Sequence, residues 1–205
     1  MDFIGSGVGT LRVSGGEALR DRVERILREH EEVARGLYSL APDIARAAQA
    51  IQAALRGGGR VLLCGNGGSA ADAQHIAAEL VGRFARERGA WPALALNTNG
   101  AVLTALGNDY GFDKVFARQV EALGEKGDVL VALSTSGRST NVLLACDAAR
   151  SKGMYVLGLT GADGGELKSR CNLCLCVPSK STPRVQEMHI LIGHILCDLV
   201  EQALC

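Results

Sequence analysis

Two pairs of side chains have the types and spacing to do chemistry. His75 and Glu79 are four apart in the stretch Asp72-Ala-Gln-His-Ile-Ala-Ala-Glu79, so on a helix of roughly 100° per residue they project from one face a turn apart. Gln186 and His194 are eight apart, which on a second helix places them ~80° from each other around the axis and two turns along it. If both helices face one crevice, an imidazole, a carboxylate, an amide and a second imidazole converge. His, Glu and His are ordinary zinc ligands, and Gln is a weaker and less usual one. A carboxylate and an imidazole also suffice as a general base and a general acid. The plainer readings are that Glu79 is a solvated helix residue, His75 a surface one and His194 a satisfied polar group. For His194 that is strained: it sits between Ile192-Gly193 and Ile195-Leu196, and a buried imidazole needs hydrogen-bonding partners. His30 and His189 have no such company and read as structural.

Two turns add binding chemistry. Gly65-Asn66-Gly67-Gly68-Ser69 leads into the helix holding Asp72, His75 and Glu79, and Ser134-Thr135-Ser136-Gly137-Arg138-Ser139 leads into a helix near Thr140. Hydroxyls and backbone N–H groups at the positive end of a helix suit a phosphate monoester, with no lysine required. One Ser or Thr would serve as an N-cap, and four hydroxyl residues in six positions exceed that need. The first turn also fits the dinucleotide fingerprint through Gly65, Gly67 and Ala70. That reading fails because Leu96-Asn97-Thr98-Asn99 offers no acidic residue for a ribose, and no Gly-Lys-Ser/Thr ending marks a nucleotide triphosphate loop. Asn108-Asp109, after Leu106-Gly107, is read as polar residues in the loop following the second strand, facing the ligand or serving as an ordinary turn or cap.

These turns need a scaffold, and the apolar pattern supplies one. Leu19, Val23, Ile26, Leu27, Val33 and Leu37 recur at helical spacing, a second helix runs from Pro42 to Leu55, and Gly57-Gly58-Gly59 stops it. Short apolar runs at 60–64, 92–96, 128–133, 155–159 and 173–177 alternate with helical patterns. Continuous apolar runs are the mark of parallel strands covered on both faces. The expected fold is therefore α/β, a three-layer α/β/α sandwich with a five-stranded parallel sheet and a helical amino-terminal pair. Ligands of such sheets bind beyond the carboxyl ends of the strands, where both turns fall. The last helix, from Pro183 to Leu204, is apolar all round, so a face left over from sheet packing would be buried by another subunit or by the first two helices. The first 16 residues, with five glycines and little periodicity, read as a flexible leader, and residues 17–205 as a single domain.

Composition removes other classes. Over 205 residues, 22 Lys+Arg balance 22 Asp+Glu, leaving no electrostatic footprint for nucleic acid or an anionic membrane. No stretch approaches the ~20 apolar residues of a membrane span, and the amino terminus lacks a signal-peptide pattern, so the protein is placed in the cytoplasm. The seven cysteines form no even disulfide framework. Cys171-Asn-Leu-Cys174-Leu-Cys176 contains one Cys-x-x-Cys but no second pair for a thiolate zinc site, and it reads as packed thiols on a strand.

Taken in order, the two turns, Asp72, Ala73, His75, Glu79, Gly107-Asn108-Asp109, Arg184-Val185-Gln186-Glu187 and His194 resemble the sugar isomerase (SIS) domain family, and within it the phosphoheptose isomerases. The similarity covers roughly residues 18–201. It implies a flavodoxin-like SIS fold and an aldose–ketose isomerase that converts sedoheptulose 7-phosphate to D-glycero-D-manno-heptose 7-phosphate through an enediol, in nucleotide-activated heptose biosynthesis. By the same resemblance, Ser134, Thr135, Ser136 and Ser139 hold the phosphate. Asn66, Gly67, Gly68, Asn108 and Asp109 line the sugar chain, and Glu79 and His194 are the acid–base pair. His75, Glu79, Gln186 and His194 match a zinc site, and the assembly is a homotetramer with active sites shared between subunits. Pro183 departs from relatives that carry an acidic residue near the start of the last helix. The rival from another class is a non-catalytic SIS module that binds a phosphosugar or a protein, as does the relative associating with the replication initiator. Retention of both Glu79 and His194 separates this chain from it.

Overall fold

A computed structural model describes residues 18–205, so the leader expected over residues 1–16 lies outside the described residues. Helix α1 (Leu19–Gly36) carries ion pairs one turn apart, such as Arg20 to Glu24 at 2.9 Å, and its apolar stripe buries no residue within the chain. A 3₁₀ turn over Leu37–Leu40 leads into α2 (Ala41–Arg56), which buries Ile44, Ala47, Ala48, Ile51 and Ala54.

The strands are β1 (Val61–Cys64), β2 (Ala93–Ala95), β3 (Val129–Ser134), β4 (Tyr155–Thr160) and β5 (Leu173–Cys176). They form one parallel sheet in the order β2-β1-β3-β4-β5. Side chains alternate across it. Val61, Leu63, Val129, Val131 and Leu133 face one core with α2, α3 (Gly68–Val81) and α8 (Thr182–Leu204). Leu62, Cys64, Leu130 and Ala132 face a second core with α5 (Ala117–Leu123) and α6 (Thr140–Ser151). Two apolar faces explain the unbroken hydrophobic strands, and the three-layer sandwich is the observed fold. The remaining helices are α4 (Gly100–Tyr110) and the single turn α7 (Leu167–Arg170). Among the described residues no helix is long and apolar enough to cross a membrane.

The chain leaves β1 toward β2 on one side and reaches β3 on the other, so β1 and β3 flank the point where the winding reverses. Ligand crevices of open parallel sheets form there, and the two turns read from the sequence are the ones that line it. All seven cysteines are free thiols. On edge strand β5, Cys174 and Cys176 lie half-buried with sulfurs 4.0 Å apart, and contact with Cys171 raises the Cys174 thiol to about 12, so it stays protonated near neutral pH.

His189 is fully buried in α8, and neither ring nitrogen meets a hydrogen-bond partner among the described residues. Burial holds its pKa down to about 4, the backbone of Thr160 approaching the ring but opposing this only weakly. The unfolded chain, with an ordinary value near 6.5, therefore binds the proton first. This contribution is intact above pH ~6.5 and is lost as pH falls toward 4, a total of about 3 kcal/mol at ~1.4 kcal/mol per unit. Urea unfolding from pH 7 to 4 is expected to show the loss, and His189→Phe to flatten that part of the profile.

Candidate active site

Helices α3 and α8 run side by side in the same direction because two glycines let them approach. A Cβ on Gly68 would come within 2.5 Å of the Gln186 amide nitrogen, and one on Gly193 within 2.6 Å of the Ile76 side chain. This seam brings His194 Nε2 to 3.3 Å from His75 Nε2, which lies 3.1 Å from Glu79 Oε1. The ligating atoms of His75, Glu79 and His194 all fall within 4.8 Å of one another. The two imidazoles meet edge to face with centroids 5.0 Å apart, and Phe84 packs on His194 at 5.5 Å. Two facing ring nitrogens cannot both accept; either one carries the proton or a cation lies between them. With a carboxylate beside them, the three suit a divalent ion such as zinc and equally suit proton exchange.

The Gln186 amide lies against Gly68 at the start of α3, and Gln186 itself is two turns, ~12 Å of helical rise, before His194 on α8. Asp72, one turn before His75 on α3, is a further titratable neighbour of the cluster. Burial raises its pKa to about 6, His75 partly opposing, and its Oδ2 has no partner among the described residues.

The turns meet at the crevice. Gly67, with φ of 55°, caps α3 and exposes the backbone of Gly67 and Gly68. Asn66 and Asn141 exchange side-chain hydrogen bonds, Nδ2 of each donating to Oδ1 of the other at 2.9 Å, which ties the glycine turn to the Ser/Thr turn. Ser139 is the N-cap residue of α6 yet makes no cap hydrogen bond with its side chain. Its hydroxyl lies instead 3.0 Å from that of buried Ser134. Simple capping therefore does not account for Ser139, and Ser136 stands exposed beside it, with its hydroxyl 3.2 Å from the Arg138 N–H. Thr135 is half-buried, its carbonyl accepting from Gly161 at 3.0 Å.

Asn108 and Asp109 do not lie in a loop. They sit exposed in the last turn of α4, where Asn108 Nδ2 donates to Asp109 Oδ1 at 2.8 Å. Asn99 caps that helix and Gly111, with φ of 85°, ends it, so the helix absorbs the turn-like Gly-Asn-Asp. Nor is His30 alone: its Nδ1 is 2.7 Å from Glu187, which also pairs with Arg184, tying α1 to α8.

Comparison with known proteins decides the family. The SIS domain model matches residues 25–161. A phosphoheptose isomerase of Rhodospirillum rubrum is 63% identical over 169 residues, 82% of this chain and 90% of that protein. The solved phosphoheptose isomerase of Neisseria gonorrhoeae superposes with a TM-score of 0.86 at 44% identity, over 90% of this chain and all of that one. That of Francisella tularensis gives 0.88 at 40% identity, covering 91% and 100%. The chain belongs to the phosphoheptose isomerases of the SIS domain family.

The SIS match spans both turns and Glu79 but ends at residue 161, before α8. In this phosphoheptose isomerase fold, the shared SIS portion thus supplies both turns together with His75 and Glu79. The carboxy-terminal helix adds His194. Asn141 and Phe84 could not be found from spacing, because each acts on a residue 75 or more positions away in the chain.

Proposed function

We propose that the chain converts sedoheptulose 7-phosphate into D-glycero-D-manno-heptose 7-phosphate, moving a proton between C1 and C2 through an enediol. The observation that carries this reading is the meeting of Glu79, His75 and His194 across two helices of a phosphoheptose isomerase fold. Glu79 takes the carbon-bound proton, and His194 exchanges protons with the C1 and C2 oxygens, so that charge on the enediol is never left uncompensated. Ser134, Thr135, Ser136 and Ser139 hold the phosphate at the start of α6. Asn66, Gly67, Gly68, Asn108, Asp109 and Gln186 contact the sugar. The reaction takes place in the cytoplasm, in the supply of nucleotide-activated heptose, and residues 17–205 act as one SIS domain. Incubation with sedoheptulose 7-phosphate, followed by NMR, tests the reading: a new aldose phosphate is expected. Fructose 6-phosphate and ribulose 5-phosphate serve as comparison substrates, and turnover of either in preference to the heptose would reassign the substrate.

Zinc fits the donor set of His75, Glu79 and His194, with Gln186 as a fourth and weaker ligand. The ion would polarise the carbonyl and stabilise enediolate charge. Removal of metal with a chelator is expected to lower activity and zinc to restore it. Metal-free protein with full activity would reject the cofactor.

The active form is read as a homotetramer with shared sites. Leu19 is 81% exposed, Val23 56%, Leu27 57% and Tyr38 82%, and the stripe continues onto exposed Leu191 of α8, an area a lone chain leaves in water. Glu79 is eleven residues along α3 from Gly68, ~16 Å of helical rise. The cluster thus lies well along α3 from the glycine turn of its own chain, and a partner's turn facing this Glu79–His194 pair is favoured. Replacing Ser136 and Ser139 together by Ala is expected to weaken sugar-phosphate binding at least tenfold, from ~1.5–3 kcal/mol per hydrogen bond to a charged group. Calorimetry showing unchanged affinity would move the phosphate site.

A further inference from the structure

The segment between α3 and β2 is fastened by a buried ion pair whose purpose is not explained by the sheet. Glu201, seven residues beyond His194 on α8, is 1% exposed. It accepts hydrogen bonds from the backbone N–H of Phe84, Ala85 and Arg86 at 2.7, 2.8 and 2.9 Å, and from Arg88 Nε at 3.1 Å. Burial alone would raise its pKa, but these donors outweigh that and hold the carboxylate at about 2. The Arg88 side chain is 4% exposed and stacks 3.6 Å over the Trp91 ring. Its Nη2 donates to the Glu79 carbonyl at 2.7 Å, and its Nη1 to the carbonyls of Leu80 and Gly82 at 2.9 and 3.1 Å. It therefore caps the end of the helix that carries Glu79, where carbonyls lack partners and a cation is favoured.

We propose that Arg88 and Glu201 are positioning residues for the Glu79–His194 pair, clamping the end of α3 to α8 and seating Phe84 against the His194 imidazole. The assignment rests on the acid–base reading above. The geometry favours a role beyond holding the loop. One partner sits on the His194 helix, the other bonds the backbone of Glu79 itself, and the loop between them places an aromatic ring 5.5 Å from His194. Proton transfer is steep in distance, and a displacement of about 1 Å costs up to ~100-fold.

The test is Arg88→Met, which keeps an apolar stem on Trp91 and removes every donor. In the full-length protein, with fold and assembly checked by circular dichroism and light scattering, kcat is expected to fall about tenfold to a hundredfold with KM within about twofold. The ring protons of His194, shifted by the Phe84 ring in the metal-free wild type, are expected to move toward unshifted positions while those of His30 stay put. Should Arg88→Met not fold, Arg88→Lys, which keeps the charge beside Glu201 but loses the forked donors to the carbonyls of Glu79, Leu80 and Gly82, is read by the same two measurements, with smaller changes expected in the same direction. Unmoved His194 signals in a folded variant, or kcat equal to wild type, would overturn the assignment. Wild-type protein inactive on the heptose phosphate would sink the functional reading instead, and the NMR shifts would still decide the clamp.

Discussion

Replacing Glu79 by Gln is expected to lower kcat about a thousandfold, within the ~10²–10⁴ that a positioned general base contributes, while the sugar phosphate still binds. The substitution keeps the side chain's shape and its contact with His75 at 3.1 Å. A carboxamide cannot accept the carbon-bound proton. Glu79 is only part-buried, its side chain 25% exposed, so the fold should tolerate the change with little loss of stability. His194→Gln should cost a similar factor, since it removes the group at the other end of the same proton transfer. The double variant should be little worse than either alone, because residues acting as a unit are non-additive. Metal content per chain, measured beside kcat, separates the two jobs assigned to Glu79. Lost turnover with metal retained marks the base, and lost turnover that follows lost metal marks the ligand. Normal isomerisation by Glu79→Gln would remove it from both.

The fold was legible because each strand is apolar on both faces. Val129 to Leu133 reads as one hydrophobic run since Val129, Val131 and Leu133 enter one core while Leu130 and Ala132 enter the other. The expected strand and helix ends differ from the observed ones by a residue or so, as with β3, which extends to Ser134. The pairing of His75 with Glu79 followed from helical spacing alone. That α8 would deliver His194 to them required Gly193, whose missing side chain admits Ile76, and nothing in local spacing announces that fit. Gly107-Asn108-Asp109 reads as a loop because those residue types favour turns. In the structure, the cap at Asn99 and the packing of Leu103 and Leu106 against the second core carry the helix through them. The bonds of Asn66 to Asn141 and of Glu201 to the 84–86 backbone join residues 75 and more than 100 positions apart. Such contacts exist only once the sheet order is fixed, so periodicity could not disclose them. The placement of Gln186 over Gly68 is of the same kind.

Val23→Glu combined with Leu27→Glu is expected to dissociate the assembly and, with it, to lower activity about a hundredfold or more, the scale of loss when reacting groups are no longer held together. Both residues lie on the exposed stripe of α1, one turn apart, and neither is buried within the chain. Glu is a good helix former, so the monomer's own helix should persist. Burying two unpaired carboxylates in a subunit contact is costly, whereas leaving them in water costs nothing. Such a variant alters no residue assigned to proton transfer or phosphate binding, the cluster of His75, Glu79 and His194 included. A fall in kcat that tracks the fraction of dissociated chains by light scattering would mean that each site needs a neighbour's groups. Full activity in a dissociated chain would mean that one chain bridges the distance between its own turns and Glu79, and the shared-site reading would then be withdrawn.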